Sequence, residues 1–412
     1  MKKTENLIKT VQKNKLCVIC KGEKLLCGKS RCPLMLRYYK LMNVTKEIGM
    51  DLEGSSPPSI FVGRHDYPKV NIGPLVSTIK GDTESYDLPE QWGTLDFEQF
   101  VQYRSSLVRG MKRLDVYDTE SKFSLQVQDL ILSKSSVDSE LVFESKPVSR
   151  IVMDDEVQPF GPSGKISKFT IAGNKTDFAI EKYYYDSDMT ATDAMFELFK
   201  NNVYVTKISR ALSAGMFGVK KHRKFVPTRW SITAVDDTIS KLLLNRIKSY
   251  PTIDNIRVYE SNRLGNRFLV ILLPRPWSYE LVEAWTPGTL WNPVSDNTYI
   301  IADHEYHDGK KEYAQIGGCY YASRLAIAEM LERERKQAQA IVLREASPSY
   351  IMPVGVWNVR ENVRNALTTA PVEIEELSTL MKHIESRFNI SIQNWKRESA
   401  LLKYNMYQKT LA

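Results

Sequence analysis

Four of the five cysteines stand within sixteen residues: Cys17, Cys20, Cys27 and Cys32, the last followed at once by Pro33. A Cys-x2-Cys pair with two more thiols at short range is a zinc pattern, because Zn²⁺ takes four soft ligands tetrahedrally. Gly22 and Gly28 lie inside and beside the turns that let such ligands converge. The spacing predicts a structural zinc on Cys17, Cys20, Cys27 and Cys32. A closed four-thiolate site leaves no position for water or substrate. The fifth cysteine, Cys319, follows Gly317-Gly318 at a helix start, where a thiol pKa can fall, but no general base stands beside it in sequence.

Three polar constellations could do other chemistry. Residues 60–74 place Arg64, His65, Lys69 and Asn71 in a loop framed by Gly63, Pro68, Gly73 and Pro74. Such a loop can aim several donors at one phosphate or carboxylate. Residues 210–237 carry a basic run, Lys220, Lys221, His222, Arg223 and Lys224, then Pro227-Thr-Arg229-Trp230-Ser, then Asp236-Asp237. The run suits phosphate contact, and Trp230 beside Arg229 suits stacking on a base. Residues 303–308, Asp-His-Glu-Tyr-His-Asp, read as a polar turn. Asp303 and His304 could join Asp236 or Glu283 at a hard-metal or acid–base site. The sequence predicts that the Arg64–Asn71 loop, the Arg229–Asp237 segment, Asp303 and His304 share one cleft.

Charge points the same way. Residues 1–40 hold eleven Lys and Arg against Glu5 and Glu23, while the whole 412-residue chain has a net charge of +8. The basic excess is therefore N-terminal, and concentrated positive charge favours polyanions. A hydrophobic content of 42% and charged content of 26% describe a globular protein with a large core. No apolar run approaches a membrane span, and Met1-Lys-Lys-Thr-Glu lacks a signal core. With thiols at a metal site, this predicts a cytoplasmic protein without a membrane partner.

The elements that must position these groups follow from periodicity. Helices are expected at 2–13, 34–50, 96–113, 124–133, 190–200, 203–213, 233–248, 319–337, 357–368, 373–386 and 396–405. Strands are expected at 139–146, 166–173, 178–185, 253–260, 267–273, 279–286 and 340–344, with a hairpin turn at Asn262–Gly265. Residues 59–95 read as irregular. Gly54-Ser-Ser-Pro57-Pro58 reads as a linker, or as a rigid loop locked onto a core. The fold class is α+β, a large mixed α/β core with an N-terminal zinc-binding knuckle and a helical C-terminal region. The divisions are 1–53 for the basic zinc module, 54–370 for the core and 371–412 for the C-terminal helices.

Taken together, the strings Ser59-Ile-Phe-Val-Gly-Arg64…Tyr67-Pro68…Asn71…Gly73-Pro74, Val226-Pro-Thr-Arg-Trp-Ser231…Asp236-Asp237 and Ile316-Gly-Gly318…Tyr320-Tyr321…Arg324, behind the Cys17–Cys32 cluster, resemble the archaeal Nre family of DNA repair proteins over essentially the whole chain. The resemblance implies a role in the response to DNA damage, with DNA as a partner and other repair proteins alongside. It also implies a C-terminal peptide that docks on the sliding clamp, PCNA. The matching tail holds Gln408 and Leu411 but lacks the terminal aromatic pair, so it is degenerate or the chain stops early. A DNA-binding adaptor is the leading reading. The enzymatic alternatives are a nuclease holding a divalent metal on Asp236, Asp237, Glu283 and Asp303, and a nucleotide- or NAD-using enzyme that modifies DNA.

Overall fold

Two six-stranded mixed sheets, each with its own helices, carry the structure. A computed structural model describes residues 20, 24–29, 31–149, 157–173, 175–289, 292 and 296–407. The chain divides into two units: Leu36–Val152 with Pro159–Leu242, and Met1–Met35 with Met153–Gln158 and Leu243–Ala412.

Helix α1 (Pro33–Glu47) leads into the first unit. There follow β1 (Asp51–Ser56), β2 (Ile60–Val62), β3 (Lys69–Ser77), α2 (Phe97–Ser106), β4 (Leu107–Asp115), α3 (Lys122–Ile131), β5 (Val137–Phe143) and β6 (Ser163–Ala172). Helices α4 (Phe178–Tyr185), α5 (Ala191–Lys200), α6 (Val205–Ser213) and α7 (Thr228–Ile247) come next. The sheet order is β1-β5-β6-β4-β3-β2, antiparallel except for the parallel pair β4–β6.

Several expectations change here. Gly54-Ser-Ser is not a linker but the buried end of β1, and a Cβ at Gly54 would lie 1.8 Å from the Ser77 carbonyl oxygen. Only glycine lets the two backbones approach that closely. The helix expected over 96–113 stops at Ser106. Asp96 and Gln99 form a reciprocal capping box at its start, but Leu107 turns extended and Leu107–Asp115 becomes the strand between β3 and β6. Tertiary pairing overrides local helical pattern there. Residues 178–185, expected extended, form α4, whose start is capped by the Asp177 carboxylate accepting from Ala179 N–H at 3.1 Å. Strands β2 and β3 occupy part of the segment read as irregular.

The second unit begins with a hairpin, β7 (Ile256–Arg263) and β8 (Asn266–Leu273). Leu264 and Gly265 both take positive φ, 49° and 69°, the mirror-image turn whose twist suits paired strands. Next come β9 (Ser278–Trp285), β10 (Tyr299–Glu305), α8 (Gly318–Glu334), β11 (Gln339–Ala346), α9 (Trp357–Ala366) and β12 (Val372–Ile374). Helices α10 (Leu377–Arg387), α11 (Ile392–Glu398) and α12 (Ala400–Tyr407) follow. The order is β10-β9-β11-β8-β7-β12, with β9 and β11 parallel. Strands β9 and β11 are buried at every position, as central strands covered on both faces must be. One face packs Val282, Ala284, Ile341 and Leu343 against Leu380, Ile384, Trp395 and Leu401 of the C-terminal helices. The other meets α8, where the Tyr279 hydroxyl donates to the Tyr320 carbonyl at 3.0 Å.

Two sheet carboxylates tie down the C-terminal helices. Glu280 accepts from Ala400 N–H at 2.7 Å, Leu401 N–H at 3.0 Å and the Ser399 hydroxyl. Glu345 accepts from Asn389 N–H at 2.9 Å and Ile390 N–H at 3.1 Å. Each satisfies backbone donors that a helix start or tight connection otherwise leaves open.

The mixed α/β class and the helical C-terminal region stand, but the zinc-binding knuckle does not. Among the described residues no group of three or more His, Cys, Asp and Glu could hold a metal ion. Cys17 lies outside the described residues. Cys20 is buried, Cys32 half-buried and Cys27 exposed, and none of the three is in a disulfide. Ligands of one closed site share one shielded environment, and these three do not. The helix expected over 2–13 and the tail residues Gln408 and Leu411 also lie outside the described residues. Among the described residues no helix is long and apolar enough to cross a membrane.

Candidate nucleic-acid interface

In the first unit, one edge of the sheet and the start of α7 are tied together by backbone chemistry. The β2–β3 connection closes on itself, with Gly63 N–H donating to the Asn71 carbonyl at 2.8 Å and Lys69 N–H to the Asp66 carbonyl at 3.0 Å. Asp66 takes φ 61° and the Tyr67–Pro68 peptide is cis. The Pro68 carbonyl accepts from Val116 N–H at 3.0 Å, and the Val116 carbonyl accepts from Phe225 N–H at 2.8 Å. Val62 N–H donates to the Thr228 hydroxyl oxygen at 2.9 Å. The loop at 63–68, the end of β4 and residues 225–230 thus form one continuous surface.

That surface is aromatic and cationic. The rings of Tyr67 and Trp230 lie 5.3 Å apart at 49°, with Tyr67 39% and Trp230 46% exposed. Tyr117 is exposed beside them, with Lys224 Nζ 5.7 Å from its ring centre. Arg64, His65, Lys69, Lys221, His222 and Arg229 are exposed, and Asn71 is half-buried. Large exposed rings lose contact with water only when something stacks on them, and every nucleic-acid base has a face that can. Arg113 bridges to Asp66 at 3.1 Å and Lys220 to Glu120 at 3.4 Å, both as exposed pairs of small energetic weight.

The structure separates the members of the basic run. Arg223 points inward, donating through Nε to the Gly218 carbonyl at 2.8 Å, through Nη1 to the Tyr184 carbonyl at 2.6 Å and through Nη2 to the Asp186 carbonyl. Burial first, against Tyr184 and Asp186, lowers its pKa below the ordinary arginine value. It fastens the 218–224 turn to the end of α4. Lys220, Lys221 and His222 form a short exposed turn of their own.

The carboxylates and His304 fall in both units. The helix expected over 233–248 begins earlier, at Thr228, so Asp236 and Asp237 are not at its start. They sit two turns into α7, where Asp236 is buried and Asp237 pairs with Lys241 at 2.7 Å. Glu283, Asp303 and His304 belong to the second unit. The run read as a turn at 303–308 begins as the end of β10. Asp303 pairs with Lys310 at 2.6 Å and accepts from the N–H groups of Gln315 at 2.6 Å and His304 at 2.9 Å. Burial, against Asp303 and with Lys310, lowers the His304 pKa. Glu283 pairs with Arg344 at 2.6 Å, and Arg344 also donates to Asn266 Oδ1 at 3.0 and 2.7 Å beneath Trp285. Burial first, then Glu283, pushes the Cys319 thiol far above its ordinary value, the opposite of an activated nucleophile.

Reasoning from sequence missed Glu305. It accepts from Trp277 Nε1 at 3.2 Å, from the Tyr320 hydroxyl at 3.1 Å and from Arg324 at 2.8 Å, all buried. The string Gly317-Gly318…Tyr320-Tyr321…Arg324 therefore builds a core network. The available signal was Arg324 four residues after Tyr320, on one helical face.

Fold and surface define a two-unit mixed α/β protein with an aromatic–cationic face on its first unit. The archaeal Nre N-terminal model matches residues 26–292 and the archaeal Nre C-terminal model residues 305–412. The chain is 42% identical over 396 residues to the DNA repair protein NreB of Archaeoglobus fulgidus, covering 96% of this chain and 98% of that protein. It is 39% identical to NreA of the same organism, covering 90% and 94%, and 33% identical to the DNA repair protein NreA of Haloferax volcanii, covering 86% and 87%. No solved structure gives a significant match. The chain belongs to the archaeal Nre family.

Proposed function

We propose that this chain is a DNA-repair protein that binds DNA through the Tyr67–Trp230 face of its first unit. The carrying observation is the Tyr67–Trp230 pair. Two large rings from separate segments are held side by side and half in solvent, with Arg64, Lys69 and Arg229 exposed in the same two segments. Stacking on aromatic rings inside a positive field suits unpaired or splayed bases more than intact duplex. The relatives named DNA repair proteins support the repair part of this reading. Asp237, Glu283 and Asp303 each hold a cationic partner, so cleavage forms no part of this reading. Docking on a sliding clamp through Gln408 and Leu411 would be an additional contact, made by residues outside those described.

The test is binding of a labelled single-stranded oligonucleotide, followed by anisotropy across a salt series. Trp230→Ala and Tyr67→Ala should each weaken binding by about 1–3 kcal/mol per stacked base. Arg229→Ala should reduce the salt slope by about one unit if it neutralises one phosphate. Thermal midpoints should stay near wild type, because these side chains are exposed. Unaltered affinity in both aromatic variants would remove the surface from consideration.

A further inference from the structure

The first unit holds a second concentration of positive charge, largely inside. Arg104 on α2, Arg109 on β4 and Arg210 on α6 cluster about one carboxylate, Asp87. Asp87 accepts from Arg104 Nη1 and from the Ser59 hydroxyl, and it pairs with Arg210 Nη2 at 3.2 Å. Arg210 Nη1 also donates to the Pro58 carbonyl at 3.2 Å. The neighbouring Glu84 and Lys207 neutralise each other at 2.8 Å, and Glu90 stands at the start of α6, accepting from Thr206 N–H at 2.9 Å. Against these three guanidinium groups stand the carboxylates of Asp87 and Glu90, so the cluster keeps positive charge in excess.

Arg109 is the member whose charge is left over. Its guanidinium lies over the rings of Phe61 and Phe160, 4.4 and 4.3 Å from the two ring centres. Among the described residues its side chain makes no hydrogen bond or ion pair. Contact with the rings holds the guanidinium, and its N–H edge has no partner of its own among the described residues. Phe61, Arg109 and Phe160 are half-buried rather than enclosed, which leaves that edge within reach of a ligand. Burial, then the charge of Arg104, with Asp87 opposing, lowers the Arg109 pKa to about 9. A charge held under such strain favours an incoming anion.

We propose that Arg109, backed by Arg104 and Arg210, binds a phosphate monoester dianion. A terminal phosphate offers a guanidinium edge three free oxygens, whereas a diester inside a strand carries one charge and is flanked by sugar on both sides. Two sources share this chemistry: the phosphorylated end of a DNA strand and a free nucleotide. The first rests on the DNA-binding reading above, and the second does not.

The experiment uses the full chain and compares oligonucleotides of one sequence ending in 5′-phosphate, 3′-phosphate or hydroxyl. In parallel, adenosine monophosphate and inorganic phosphate are titrated while the thermal midpoint is followed. Wild type should prefer one phosphorylated end by roughly tenfold or more, the scale of charge-assisted hydrogen bonds. Arg109→Met keeps the stack filled and should bring that ratio to one without altering binding of the hydroxyl-ended strand. Arg109→Lys keeps the charge but not the fork and should retain only part of the preference. Trp230→Ala should lower affinity for all strands and leave the ratio intact, which separates this site from the stacking face. An Arg109-dependent rise in midpoint with adenosine monophosphate but no end preference would support the site and identify a free nucleotide as its source. Equal binding of all three strands, together with equal midpoint shifts in wild type and Arg109→Met, would overturn the proposal.

Discussion

Glu305→Ala should destabilise the second unit by about 3–5 kcal/mol, the cost of removing one partner from a buried ion pair. Arg324 is 1% exposed and would keep its charge with its nearest carboxylate gone. The Trp277 indole N–H and the Tyr320 hydroxyl would lose their acceptor as well. Burial first, then Glu305, pushes the Tyr320 hydroxyl far above its ordinary pKa, so it stays a donor at any physiological pH. The double variant Glu305→Ala with Arg324→Met should recover part of the loss, because it buries neither charge. Denaturant unfolding of the three proteins measures this directly. A single-variant loss below about 1 kcal/mol, the scale of an exposed pair, would mean that water reaches the network.

Asp87→Ala should have a comparable effect on the first unit, again about 3–5 kcal/mol. The carboxylate stands between Arg104, Arg210 and Ser59, and its loss would leave two buried cations with nothing between them. Burial alone would raise the Asp87 pKa, but Arg104, Arg210 and Ser59 together outweigh it and hold it below the ordinary value. The unfolded chain then binds the proton more readily than the folded one, so stability rises with pH through this window. The contribution is complete above the unfolded value, ~3.9, and disappears as pH falls through the lower folded value. Asp87→Asn should flatten that acid limb. An acid limb identical to that of wild type would show that other carboxylates set it.

The sequence and the structure agree best where one force dominates. The hairpin from 256 to 273, strand 278–285, helix 318–334 and strand 339–346 are long apolar runs bounded by turns, and each forms near its expected place. Disagreement falls where pairing partners far along the chain decide. Leu107–Asp115 has enough helical pattern to extend α2, but its place between β3 and β6 makes it a strand. Strand Tyr299–Glu305 runs on into the polar residues Asp303, His304 and Glu305 because Asp303 and Glu305 bring their own cations. The two segments joined at Val62 and Thr228 stand out in sequence by their glycines and prolines. The Arg109 stack does not, since Phe61 and Phe160 meet it only after the sheet forms. The cysteines show the reverse hazard: spacing alone suggested a closed site, and the environments of Cys20, Cys27 and Cys32 differ too much for one.

The Tyr67–Trp230 pair also gives the protein an optical handle. Trp92, Trp277, Trp285, Trp357 and Trp395 are all buried, whereas Trp230 is 46% exposed, and Trp291 lies outside the described residues. A collisional quencher such as iodide should therefore reach Trp230 while sparing the five buried indoles. A base stacked on Trp230 would shield it and straighten the quenching plot. Trp230→Phe should reduce the accessible component before any strand is added. Occupancy of this face can then be followed by intrinsic emission alone, with no dye on either partner.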